Sequence, residues 1–255
     1  MSFHTIKQKY WTMLNKIEQR RHPYETVLSP HDWQSAIDSL LPHNTPITLV
    51  DGGAHDGIFA KQYAQNFSNI HIHAFEPNTE LAGKLSGNLS GIPHTINHTA
   101  LGNTVGSTTF NIGDSPMTSS VLNSNQNGRQ FYHDVINPKE SRTIPITTLD
   151  HYAKKHNIQH IHILKLDLQG YELHALQGAE KLLKNKQISC IFTEINFMPF
   201  YDGSALFSDL DQYLRPLGYQ LHNLYNLATR NHNNQLSGGD ALFITEQLQQ
   251  QTIAA

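Results

Sequence analysis

The sequence predicts an α/β fold: a seven-stranded, mostly parallel sheet behind an N-terminal helical cap. Three observations carry this. From residue 45 onward, short apolar runs alternate with stretches of helical period, the pattern of a parallel sheet with helices on both faces. The first of these runs passes through a pair of glycines straight into a helical spacing. Residues 1–44 show helical spacing only.

In chain order, "IKQKYWTMLNKIEQRR" sets Ile6, Tyr10, Met13, Leu14 and Ile17 on one helical face. "SPHDWQSAIDSLL" opens with a Ser/Pro helix-entry signal. The expected strands are "ITLVDGG" (47–53), "IHIHAFEP" (70–77), "HTINHTAL" (94–101), "IHILKLDL" (161–168), "ISCIFTEI" (188–195), "YQLHNLYN" (219–226) and "DALFITE" (240–246). Between the third and fourth runs lies a stretch rich in Ser, Thr, Asn and Gly, with "RTIPITTLD" at its end. It reads as an insertion at about 104–148, made of short strands and a mobile loop near the ligand site. The expected division is therefore a cap over 1–44 and one catalytic domain over 45–248.

Composition narrows the function. The chain has 255 residues, 38% of them hydrophobic, ample for a sizeable core. With 18 basic and 21 acidic residues and a formal charge of −3, no basic field points to nucleic acid or an anionic membrane surface. The lone cysteine, Cys190, sits in the apolar run "ISCIFTEI" and reads as a core residue, so neither a disulfide framework nor a thiolate metal cluster is expected. No run of 18 apolar residues and no signal-peptide pattern is found, and a cytoplasmic location is expected. The expected partner is a small-molecule or glycan substrate. Homo-oligomerisation stays open.

The unit "LVDGGAHDGIFA" is a strand ending in Asp51, a turn through Gly52, Gly53 and Gly57, and a helix carrying Phe59, Tyr63 and Phe67. Such a turn lets backbone approach a ligand closely, and the helix start favours negative charge. Gly53 and Gly57 do not fit G-x-G-x-x-G, and Asp51 would repel a pyrophosphate, which disfavours a dinucleotide. A ligand with a cationic centre and a small carboxylate suits it better. Glu76, 25 residues after Asp51 at the end of the next strand, can accept hydrogen bonds from both hydroxyls of a ribose. The alternative for Asp51 and Glu76 is turn or cap formation.

"LVDGGAHDGIFA", "AFEPNTELAGKLSGNL", "ALGNTVGSTTF", "ITTLDHY", "ILKLDLQGYELHALQGAEKLL" and "IFTEINF" resemble, in order and spacing, the FkbM-type S-adenosylmethionine-dependent methyltransferases over about residues 47–200, with "KLDLQGYE" the most specific string. The resemblance implies a class I methyltransferase, Rossmann-like sheet with S-adenosylmethionine across the carboxyl ends of its strands. By position it puts the loop Asp51, Gly52, Gly53, Ala54, His55 and Gly57 at the methionine part. It puts Glu76, with Pro77 and Asn78, at the ribose, and Ala100, Leu101 and the rest of "ALGN" at the adenine. A sulfonium tolerates nearby carboxylates. At position 55 the sequence departs from the family, where Asn is common. His55 is expected to be a substitution without consequence, at most donating near the methionine carboxylate.

Methyl transfer to oxygen needs alignment, water exclusion and usually a base beside the sulfonium. Lys165 and Asp167 interrupt an apolar strand, where unpaired charge is costly, so they are expected to pair with each other or with neighbouring acids. Asp167 is the first candidate for a cofactor or substrate contact and Glu194 the second. The competing reading makes Lys165, Asp167 and Glu194 a structural network. His133 on the insertion is a further candidate base, and Ser119 and Ser120 candidate substrate contacts. Glu172 is assigned to its helix start and Asp150 to a helix N-cap. The "HIH" pairs at 71–73 and 160–162 are expected to face solvent. No metal site is assigned, although Asp167 and Glu194 would suit Mg²⁺ chemically. The leading expectation is O-methylation, and the resemblance implies a hydroxyl on a sugar or glycosylated natural product as the acceptor. N-methylation of a small molecule or peptide, a non-catalytic cofactor-binding scaffold and a dehydrogenase are the alternatives.

Overall fold

The computed structural model describes residues 25–27, 33–43, 45–230 and 233–253. The predicted helix over 6–21 lies outside them. The described elements begin with β1 (Glu25–Val27), α1 (Trp33–Leu40), β2 (Ile47–Gly52), α2 (Ile58–Ala64), β3 (Ile70–Phe75), α3 (Ala82–Asn88) and β4 (His94–Asn97). The insertion follows as β5 (Ala100–Leu101), β6 (Gly106–Gly113), α4 (Gln126–Tyr132) and β7 (Pro138–Thr147). The chain then continues through α5 (Leu149–Lys155), β8 (Ile161–Leu166), α6 (Glu172–Gln177), α7 (Glu180–Lys184), β9 (Ile188–Asn196), α8 (Phe207–Leu214), β10 (Tyr219–Arg230), β11 (Leu236–Thr245) and α9 (Glu246–Ile253).

The main sheet has the order β1-β10-β11-β9-β8-β2-β3-β4. The strands from β9 through β8, β2 and β3 to β4 pair in parallel, and β11 runs antiparallel between β9 and β10. Without the short edge strand β1, these are the seven predicted strands in the class I methyltransferase order. The strand order reverses between β2 and β8, and an open α/β sheet binds its ligand outside the carboxyl ends at such a point.

Alternation along the strands explains the two faces of the core. Val50, Leu164, Leu166, Ile191 and Phe243 pack on one side, and Leu49, Ile163, Cys190, Leu242 and Ile244 on the other. Each such side chain contributes about 1.5–3 kcal/mol when fully buried. α1 seals the second side with Ile37 and Leu40, and Trp33 stacks on Phe59 and Phe192, each at 4.9 Å between ring centres. Cys190 is fully buried, which pushes its thiol up to about 12.

Three expectations are corrected. "HTINHTAL" is two strands: β4 ends at Asn97, and Ala100–Leu101 leave for a second sheet of order β5-β7-β6. There Ala100 joins a separate core of Phe110, Ile112, Ile144 and Ile146, while Leu101 packs into the main core. The insertion is more regular than predicted, with strands of 8 and 10 residues and one helix. The histidine pairs do not all face solvent. His73 is buried with Nδ1 2.9 Å from the Tyr152 hydroxyl, and His162 Nδ1 accepts from the Thr48 backbone N–H at 3.0 Å. Burial pulls both down to about 4, so they are neutral members of the packing.

Candidate active site

A cavity of about 890 Å³ opens at the reversal point between β2 and β8. Its floor comes from the loops after β2, β3 and β8, and its roof from the insertion through Phe110, Met117, Val121 and Tyr132. Gly53 shows why the first loop needs glycine. Its φ is +72°, and a Cβ there would stand 1.9 Å from the Asp167 carbonyl oxygen. The two strand ends therefore touch, backbone to backbone.

Lys165 ties this junction together. Its ammonium lies 3.1 Å from Asp51 Oδ1 and 3.7 Å from Asp167 Oδ2, and it donates to the Gly53 and Gly52 carbonyls at 2.7 and 3.3 Å. Burial pulls the lysine down, but the carboxylates outweigh it and the net direction is upward. Burial raises Asp51, against the pull of Lys165. The predicted pairing of Lys165 thus holds, with Asp51 as the nearer partner.

Glu76 borders the cavity and is 6% exposed. Its Oε2 accepts from the His55 N–H (2.8 Å) and its Oε1 from the Asn78 N–H (2.7 Å), leaving each oxygen a further lone pair. Burial raises its pKa, and the two backbone bonds oppose that rise. His55 adopts φ +50°, a left-handed conformation that Asn, Gly and His adopt more readily than most residues.

Gly53, Ala54, His55, Glu76, Pro77, Ala100, Leu101, Lys165, Asp167, His133 and Glu194 all border the cavity. Asp51, Gly52, Gly57 and Asn78 do not. Asp51 is fully buried behind Lys165 because the parallel register sets it beside that residue. A Cβ at Gly57 would meet Leu85 at 2.7 Å, so that glycine serves packing against α3. Asn78 caps a turn by accepting from the Glu80 N–H. In "ALGN", Asn103 points away and donates to Gln177.

The "KLDLQGYE" loop is held from behind. Glu172, buried in the first turn of its helix as expected, also accepts from the Leu168 and Gly170 N–H groups at 2.7 and 3.2 Å and so secures this loop; burial lifts it to about 7. Ser120 is buried and donates to the Gln169 carbonyl, which makes it a tie between insertion and loop instead of a substrate contact, while Ser119 does border the cavity. Asp150 caps α7, accepting from the Lys181 and Leu182 N–H groups, and the cap of its own helix is Thr148.

Gln169, which sequence reasoning passed over, organises the carboxylates. Its amide donates to Asp167 Oδ1 (2.9 Å) and to Glu194 (3.1 and 3.2 Å), and its oxygen accepts from the Tyr201 hydroxyl (3.1 Å). Its signal was its place in "KLDLQGYE", between Asp167 and a glycine. Its φ of +53° is a local strain of the kind that collects at functional sites. Burial drives Glu194 well above the carboxylate range, with Asp167, Glu172 and Asp240 adding to the rise. Asp240, also missed, is register-paired with Glu194 across β11 and β9, and burial raises it to about 7. No group of three or more His, Cys, Asp or Glu side chains among the described residues is arranged to hold a metal ion.

The residues fit a nucleoside ligand with a cationic centre. Four carboxylates, Asp56, Glu76, Asp167 and Glu194, border the cavity beside one lysine, and the glycine cradle leaves room for close approach. No helix among the described residues is long and apolar enough to cross a membrane.

Among solved structures the chain is similar to an rRNA methylase from Streptococcus thermophilus (14% identity over 86% of this chain and 98% of that one, TM-score 0.46). It is also similar to TrmK from M. capricolum bound to S-adenosylhomocysteine (12% identity, 87% and 70%, TM-score 0.42). A third is a putative S-adenosylmethionine-dependent methyltransferase from Listeria monocytogenes (7% identity, 83% and 97%, TM-score 0.46). No curated protein sequence matches it significantly. The methyltransferase FkbM domain matches over residues 51–221, from the buried aspartate of β2 into β10. This chain belongs to the FkbM methyltransferase family and is an S-adenosylmethionine-dependent methyltransferase.

Proposed function

We propose that the enzyme methylates a hydroxyl oxygen of a sugar or glycosylated natural product. The observation that carries the reading is Glu194. Its carboxyl borders the cavity at the strand ends and is held by Gln169, and burial raises its affinity for a proton.

The cofactor supplies an electrophilic methyl on a sulfonium. Glu76 would hold its ribose, the Gly53–His55 backbone its methionine end, and Ala100 and Leu101 its adenine. Asp167 and Lys165 keep the strand ends at fixed charge and spacing, and Glu194 receives the hydroxyl proton. The insertion covers part of the cavity through Phe110, Met117, Val121 and Tyr132, which would partly shield an acceptor oxygen from water. The same reading places the enzyme in the cytoplasm, with a buried thiol in place of disulfides.

The test is methyl transfer from labelled S-adenosylmethionine to a panel of glycosides, hydroxylated natural products and amines. The expected result is label on oxygen, lost in Glu194→Gln. Label on nitrogen would overturn the acceptor assignment, and cofactor binding with no transfer to any component would favour a scaffold.

A further inference from the structure

A second, smaller cavity of about 210 Å³ lies beyond the first, where β9, β10 and β11 meet. Asp167, Glu194 and Tyr132 border both, so the two join at the proposed base. Asp240, Asn196 and Asn226 complete its polar wall. Asn226 and Asp240 come from strand segments beyond residue 221, outside the matched family domain.

We infer that this cavity binds the methyl acceptor, and that it takes an uncharged, ring-sized group rich in hydroxyls. The inference rests on the methyltransferase reading above and adds where its acceptor sits and which residues select it.

Asn196 carries the first argument. It is 5% exposed and borders the cavity, yet its amide has no hydrogen-bond partner among the described residues. An amide facing the cavity can donate through its nitrogen and accept through its oxygen, so a ligand carrying both donors and acceptors can pair with it. Asp240 carries the second. Being register-paired with Glu194 on antiparallel strands, the two side chains project to one face. Asn226 donates to Asp240 Oδ2 at 2.6 Å, which orients the carboxylate and leaves Oδ1 to accept from a ligand.

Chemistry then selects the occupant. No Lys, Arg or His side chain is among the residues bordering this cavity, so an anion finds no charged partner. A protonated amine would pair with the carboxylates but has no lone pair for attack and would sit beside a sulfonium of the same sign. Hydroxyls satisfy the carboxylates as donors and Asn196 as both donor and acceptor. The volume equals about seven waters at about 30 Å³ each, which suits a single ring and not an extended chain.

The test uses the full chain saturated with S-adenosylhomocysteine and saturation-transfer NMR with methyl β-D-glucopyranoside, methyl β-D-galactopyranoside, glucosamine and glucuronate as probes. At least one neutral glycoside should bind, and both Asp240→Asn and Asn196→Leu should weaken it about tenfold or more, with homocysteine-cofactor affinity held within about twofold. That retained affinity also reports that each variant is folded. The inference is overturned if neither glycoside binds, if both substitutions leave binding unchanged, or if glucosamine or glucuronate is preferred. In each of those cases intact S-adenosylhomocysteine binding leaves the methyltransferase reading standing. Absence of that binding in the unsubstituted chain would sink the reading itself.

Discussion

The two halves of the site are built on different principles. Around the glycine loop, strand ends are locked by backbone contact and one buried lysine, and several donors are committed within the protein: Lys165 to Asp51 and the glycine carbonyls, the His55 and Asn78 N–H groups to Glu76. On the acceptor side the polar groups face space, and the wall is gathered from the insertion, β9 and the β10–β11 hairpin. A rigid half suits a ligand shared by all relatives, and a half assembled from separate segments can change its acceptor without disturbing it.

Breaking the rigid half should cost most. Lys165→Met leaves Asp51 buried without its counter-ion, and we expect about 3–5 kcal/mol of stability lost in urea unfolding. Adding Asp51→Asn should recover much of it. Disturbing only the open half should leave the fold intact: Glu194→Gln is expected to lower turnover about 100-fold or more, with S-adenosylmethionine affinity within about twofold by calorimetry. Gly53→Ala drives a Cβ into the Asp167 carbonyl and should weaken cofactor binding by at least about tenfold. Gly203→Ala, with φ +74° but open space around it, should cost only about 1 kcal/mol of stability and leave binding alone.

A pH titration sharpens the comparison further. Burial raises Asp240 in the folded state to about 7, so the folded protein holds that proton longer than the unfolded chain. The stability this contributes is complete below the unfolded carboxylate range and is lost as pH rises through about 7. Asp240→Asn removes the titration, and its stability relative to the unsubstituted chain should improve between about pH 5 and pH 8 by about 1–2 kcal/mol. Thermal melts across that range check it. The smallest effect is expected at His55→Asn: both residues tolerate φ +50°, the backbone N–H to Glu76 is kept, and cofactor affinity should move less than about twofold.

The cofactor half was legible because its geometry follows local rules. An apolar run ending in Asp51 and the glycines that follow it mark where the strand stops and the backbone must turn. Glu76 and Asp167 could be placed because each sits just past a strand end. The error in "HTINHTAL" arose where Ala100 and Leu101 left to pair with β7 in a second sheet, which no local period reports. The same applies to Asp150, whose partners are 31 and 32 residues away, and to the histidines that neighbouring strands and helices bury.

By itself, the sequence determined the sheet, the glycine loop, the family and the charged strand ends, because these depend on period and on residues within one strand-turn-helix unit. Only the tertiary structure decided that Asp51 is sealed behind Lys165, that Gln169 binds two carboxylates at once, and that Asp240 meets Glu194 at a second cavity. Those contacts join segments far apart in the chain, and their positions are set by register and packing, which a linear pattern does not encode.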